Sequence, residues 1–165
     1  MAGHRVRMRA LFPLWRASAR REKGAGINVE VLSATSEGNL LIGFRGPLSP
    51  DCGALALGIK LPPTDGDEPV LEKEHVLPLV DYPHIPEGAA KPLRAITMVP
   101  GELGQYYVSL GPMGYEKEEL VLAHWNADTE QLGKATLLPK DIVTEGVTRI
   151  PGGKVMVIDD LKEMI

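Results

Sequence analysis

From Ile27 onward the chain sets apolar residues at every second position or in short unbroken runs, and turn residues end each run. Alternation with period two marks a half-buried strand, because successive side chains leave opposite faces of the sheet. Ile27-Asn28-Val29-Glu30-Val31 has that alternation. Ser36-Glu37-Gly38-Asn39 then supplies turn chemistry, and residues 40–44 read as the returning strand. Residues 54–61 are apolar at nearly every position, as in a strand buried on both faces. Gly58 inside that run marks a bulge or a close backbone approach.

Beyond a Pro- and Asp-rich turn at 62–69, residues 70–80 read as a strand with Glu72, Lys73 and Glu74 near one end. The stretch 81–92 holds Pro83, Pro86 and Pro92 without periodicity and reads as a long surface loop. Strands resume at 94–99 and 105–110, joined through Pro100-Gly101-Glu102-Leu103-Gly104, and again at 120–125, 135–138, 147–150 and 154–158. Pro151-Gly152-Gly153 is a hairpin turn between the last two, and Asp159 is placed to cap a short C-terminal helix over 160–165. About ten short strands with no helix long enough to cross between parallel neighbours predict a mainly β chain, an antiparallel β-sandwich or barrel. The 18 Gly and 14 Pro agree, since both residues end regular elements. The division expected is a basic N-terminal arm at 1–26 and a β-rich body at 27–165, with a weak boundary near 111–119.

Charge changes this picture more than composition does. Residues 1–23 carry Arg5, Arg7, Arg9, Arg16, Arg20, Arg21 and Lys23 against Glu22 alone, a net of +6, while the rest of the chain carries −10 and the whole −4. Arg5-Val6-Arg7-Met8-Arg9 alternates basic and apolar residues, which suits an extended segment laid along an anionic surface. Pro13 can open a short helix that runs through Lys23 and stops at Gly24 and Gly26. Phe12, Leu14 and Trp15 would form its apolar anchor, with Arg16, Arg20 and Arg21 on the other side. Such an arm fits contact with nucleic acid or with an acidic neighbouring subunit. An Arg-rich, nearly acid-free start also fits an import segment for a mitochondrion or other organelle. No apolar run approaches the roughly 20 residues of a membrane helix, so no membrane span is expected. Cys52 is the only cysteine, which rules out an intramolecular disulfide and suits a reducing compartment.

The chain offers few candidates for chemistry. His75, His84 and His124 with Asp81 are the best metal candidates, because histidines and a carboxylate with an open position form catalytic zinc or iron sites. Their spacing matches no ligand motif, and unrelated histidines explain them as well. Cys52 has no cationic or histidine neighbour in sequence to activate it, and no Gly-x-Ser-x-Gly elbow is present. Gly24-Ala25-Gly26 and Gly152-Gly153-Lys154 lack the surroundings of a phosphate loop. Of Tyr106 and Tyr107, one is expected in the core and one at the surface.

These readings assign no catalytic residue and no cofactor. They favour a structural or assembly protein in the cytoplasm or a virion, most concretely a phage or viral capsid, decoration or connector protein within a homo- or hetero-oligomer. An organellar accessory subunit is the first alternative, and a small β-barrel metalloenzyme the second.

Overall fold

The computed structural model describes residues 27–49, 53–63, 68–77, 92–111, 120–140, 142 and 144–159. Eleven strands lie within them: β1 (Asn28–Ala34), β2 (Leu40–Gly46), β3 (Ala54–Lys60), β4 (Val70–Leu77), β5 (Leu93–Met98), β6 (Gln105–Leu110), β7 (Val121–Asn126), β8 (Gln131–Leu132), β9 (Thr136–Leu137), β10 (Thr144–Ile150) and β11 (Lys154–Asp159). The chain is mainly β and every strand pairing is antiparallel. The described residues contain no helix, and so none long and apolar enough to cross a membrane. Both predicted short helices, at 14–23 and 160–165, lie outside the described residues.

Strands β1 to β4 form one sheet in chain order. The second sheet runs β5-β6-β7-β8, with β9 also on β7, and β10 and β11 make a separate hairpin. β6 and β7 pair directly although residues 111–120 separate them in sequence. The hairpin turns at Gly152 and Gly153, whose φ angles of 87° and 76° are left-handed and suit glycine.

One apolar cluster draws on both large sheets. Val31, Leu41, Ala54, Ala56 and Leu77 come from the first, and Leu93, Ile96, Tyr106, Val108, Leu110, Ala123 and Trp125 from the second. Gly43 permits the close approach, since a Cβ there would lie 3.0 Å from Leu93 Cδ1. A second cluster of Phe44, Leu55, Leu57 and Ile59 occupies the other face of β2 and β3. β3 is thus buried on both faces, as its unbroken apolar run requires.

Five positions depart from regular pairing, one of them Glu145 on β10. The register skips Glu30 on β1, Arg45 on β2 and Arg94 on β5, and it skips Glu72 opposite Gly58 and Ile59. Each is a β-bulge, an extra residue that bends its strand and re-aims a side chain. Gly58 therefore does flank a bulge, but the extra residue is on the facing strand.

Candidate functional site

Side chains of β4 and the β7–β8 turn meet at the edge of the shared core. β4 turns Lys73, His75 and Leu77 toward that core, opposite Gly58, Ala56 and Ala54. His75 is buried and its ring stands edge-on to Trp125, with centroids 5.2 Å apart. Trp125 is completely buried and also stacks at a tilt on Tyr106, 5.5 Å away. The turn beyond Trp125 is built by Asn126, whose Oδ1 accepts from the amides of Asp128 and Thr129, both at 2.9 Å. It ends at Glu130, which holds a left-handed φ of 58°. That conformation costs a non-glycine residue roughly 1 kcal/mol, and here it accompanies a carboxylate set between two bases.

Lys73 Nζ lies 3.2 Å from Glu130 Oε1 and donates to the Ala127 carbonyl at 3.3 Å. His75 Nδ1 stands 3.6 Å from the same carboxylate oxygen, too far for a hydrogen bond. Neither His75 Nδ1 nor Trp125 Nε1 has a hydrogen-bond partner. Burial holds the imidazole below its ordinary pKa of 6.5; the Lys73 charge adds to this, while Glu130 and Asp128 oppose it. Burial likewise pushes the Tyr106 phenol up. The arrangement favours a neutral imidazole beside a carboxylate, which can take up a proton when pH falls.

A second ionic cluster ties β1, β2 and β5 together. Glu30 Oε1 accepts from Arg94 Nη1 at 3.2 Å and Arg45 Nη1 at 3.4 Å. All three are among the residues the pairing register skips. The bulges turn them toward one another, and the Arg94 side chain is only 4% exposed. A carboxylate between two guanidinium groups is satisfied by charge and acts as a structural tie.

Of the sequence-derived metal candidates, His75 and His124 are described and are not brought together. His124 neighbours Trp125 on β7, so it projects from the opposite face, where its ring contacts Tyr107 at 5.4 Å. Asp81 and His84 lie outside the described residues, as do Cys52, the arginines of the arm, Phe12, Leu14 and Trp15. No three His, Cys, Asp or Glu side chains among the described residues are grouped to hold a metal ion. Sequence reasoning passed over Glu30, Arg45, Arg94 and Glu130. The only signal for the first was a charge inside an alternating strand, and Glu130 looked like an ordinary turn residue. Comparison with protein-family models, with curated proteins and with solved structures gives no match for this chain.

Proposed function

We propose that this chain is a structural or assembly component of a larger particle, most concretely a phage or viral capsid, decoration or connector protein. Its basic arm would contact neighbouring subunits or nucleic acid through Arg5, Arg7, Arg9, Arg16, Arg20 and Arg21, with Phe12, Leu14 and Trp15 as anchor. The observation that carries this reading is the charge split, +6 over residues 1–23 against −10 over the remainder. A charge asymmetry of that size directs association, with the arm drawn to anions and the body repelled by them. The body's architecture is compatible with this use. We take its two large sheets to stack as a β-sandwich around their shared cluster, a rigid platform from which an arm can reach.

Light scattering tests the proposal on the full chain and on a variant with the six arm arginines changed to serine, each with and without nucleic acid. The expected result is assembly or nucleic-acid binding by the first and not by the second. Binding to nucleic acid should also weaken about a thousandfold between about 50 and about 200 mM salt. Identical behaviour of the two proteins would overturn the role of the arm.

A further inference from the structure

The two outer strands of the first sheet, β1 and β4, are fastened differently. β1 is tied to β5 through Glu30 and Arg94, with Arg45 of β2 on the same carboxylate oxygen. β4 is fastened to the second sheet at Lys73, which donates to the Ala127 carbonyl and lies beside Glu130, and at His75, which stands edge-on to Trp125. Among the described strands β4 pairs with β3 alone, and only His75 and Leu77 of its eight residues are buried. A strand with so little buried surface can open while the rest of the fold stays closed.

That fastening turns on His75. Its Nδ1 is buried without a hydrogen-bond partner, 3.6 Å from Glu130 Oε1, an oxygen that already serves Lys73. The charged groups that face it are Lys73 on its own strand and Glu130 and Asp128 on the β7–β8 turn. β3 sets uncharged Ala56 opposite it and Gly58 beside its Nε2. Behind Trp125, Tyr106 stays neutral, because burial and the charges of Asp128 and Glu37 push its phenol up. A neutral imidazole suits these surroundings. A protonated one brings a second cation to a carboxylate that already has one, in an enclosure that solvates it poorly. Opening β4 returns the ring to water, where it takes its proton at the ordinary pKa of 6.5. Below that pH the opened strand binds the proton more tightly than the closed one, so acid draws β4 open. No described histidine belongs to the Glu30 tie.

We infer that β4 is an acid-released latch, in which protonation of His75 frees the strand from β3 and from the β7–β8 turn while the Glu30 tie keeps the other side of the sheet closed. Release bares the β3 edge and the Trp125 ring. The latch goes beyond the assembly reading above and does not depend on it.

Hydrogen exchange of the full chain between about pH 7.5 and about pH 5, corrected for the pH dependence of a free amide, tests the latch strand by strand. The opening constant of amides in 70–77 should rise by up to about tenfold per pH unit below 6.5, with those of β2 and β6 unchanged. His75→Gln should abolish the rise. Should that variant not fold, two substitutions at exposed positions decide the matter. Glu130→Gln should extend the rise to lower pH by withdrawing an anion, and Lys73→Gln should shorten it by withdrawing a cation, whatever each does to opening at neutral pH. A purely structural contact would change the opening in these variants without changing its pH dependence. An equal rise in every strand would overturn the latch, as would β4 amides that are no better protected at neutral pH than in acid. So would a wild-type pH dependence in every variant that folds.

Discussion

The two ionic clusters that span the large sheets share a plan and differ in their setting. Each places one carboxylate between two cationic or potentially cationic side chains, and each carboxylate sits where the backbone departs from regular structure. Glu30 occupies a bulge and Glu130 a left-handed turn position. Around Glu30 the partners are enclosed, with Arg94 and Arg45 side chains 4% and 15% exposed. Around Glu130 the Lys73 and Glu130 side chains are 44% and 39% exposed, and Trp125 behind them is buried. Breaking an enclosed ion pair strands a charge in a poorly solvated place, whereas water replaces most of an exposed one. The comparison therefore teaches that the first junction is held by charge and the second by the aromatic packing beneath the charge.

Four measurements would break or sharpen that contrast. Trp125→Ala should cost about 4 kcal/mol in denaturant unfolding, because it empties a site shared with His75 and Tyr106. If it cost no more than Glu130→Gln, packing would not dominate the second junction. Glu30→Gln should cost about 3 kcal/mol, because the buried Arg94 loses the carboxylate held 3.2 Å from its Nη1. A loss under about 1 kcal/mol would place that triad with exposed ion pairs instead.

The third measurement uses pH. The folded state holds His75 below its ordinary 6.5, so the unfolded chain binds the proton more readily. The stability this contributes is fully present above pH 6.5 and is lost as pH falls through the folded pKa, with a slope of at most about 1.4 kcal/mol per pH unit. His75→Gln should flatten the pH profile of unfolding below 6.5. Glu130→Gln should extend the loss to lower pH and enlarge it, since the carboxylate is among the groups supporting the imidazolium. A wild-type profile in both variants would mean that His75 does not titrate across folding.

Glu130→Gly should have the smallest effect, within about 0.5 kcal/mol of zero. Relief of the left-handed backbone offsets a weak Lys73 contact and the greater freedom of glycine in the unfolded chain. Differential scanning calorimetry at neutral pH resolves a shift of this size, and a loss above about 2 kcal/mol would show the exposed pair to be stronger than its solvation suggests.

The sequence reveals what repeats and hides what departs from repetition. β6 was legible to the residue, because Gly104 and Gly111 bracket an apolar run that includes the Tyr106-Tyr107 pair, one buried and one half-exposed as expected. β8 was not, since Gln131 and Leu132 are too few to show a period and owe their pairing to the turn before them. Glu30, Arg45 and Arg94 escaped notice for a related reason. A bulge is a relation between two strands, and a pattern read along one strand carries no sign of which partner residue is skipped. His75 drew attention as a metal candidate through its side-chain type alone. Its true neighbours, Trp125 and Glu130, are some fifty residues away in the chain and share no spacing with it.

The bulge at Glu72 has a consequence for how this chain can change length. Leu71 pairs with Ile59 and Lys73 with Gly58, so Glu72 alone in β4 has no place in the ladder. Losing that one residue would straighten the strand while Leu71 kept its apolar neighbours and Lys73 its carboxylate. Losing Glu74 instead would set Lys73 and His75 on opposite sides of the sheet and undo the junction with Trp125. Glu72 is thus the position in β4 where a codon deletion leaves the pattern of faces intact, a point of slack in an otherwise fixed register.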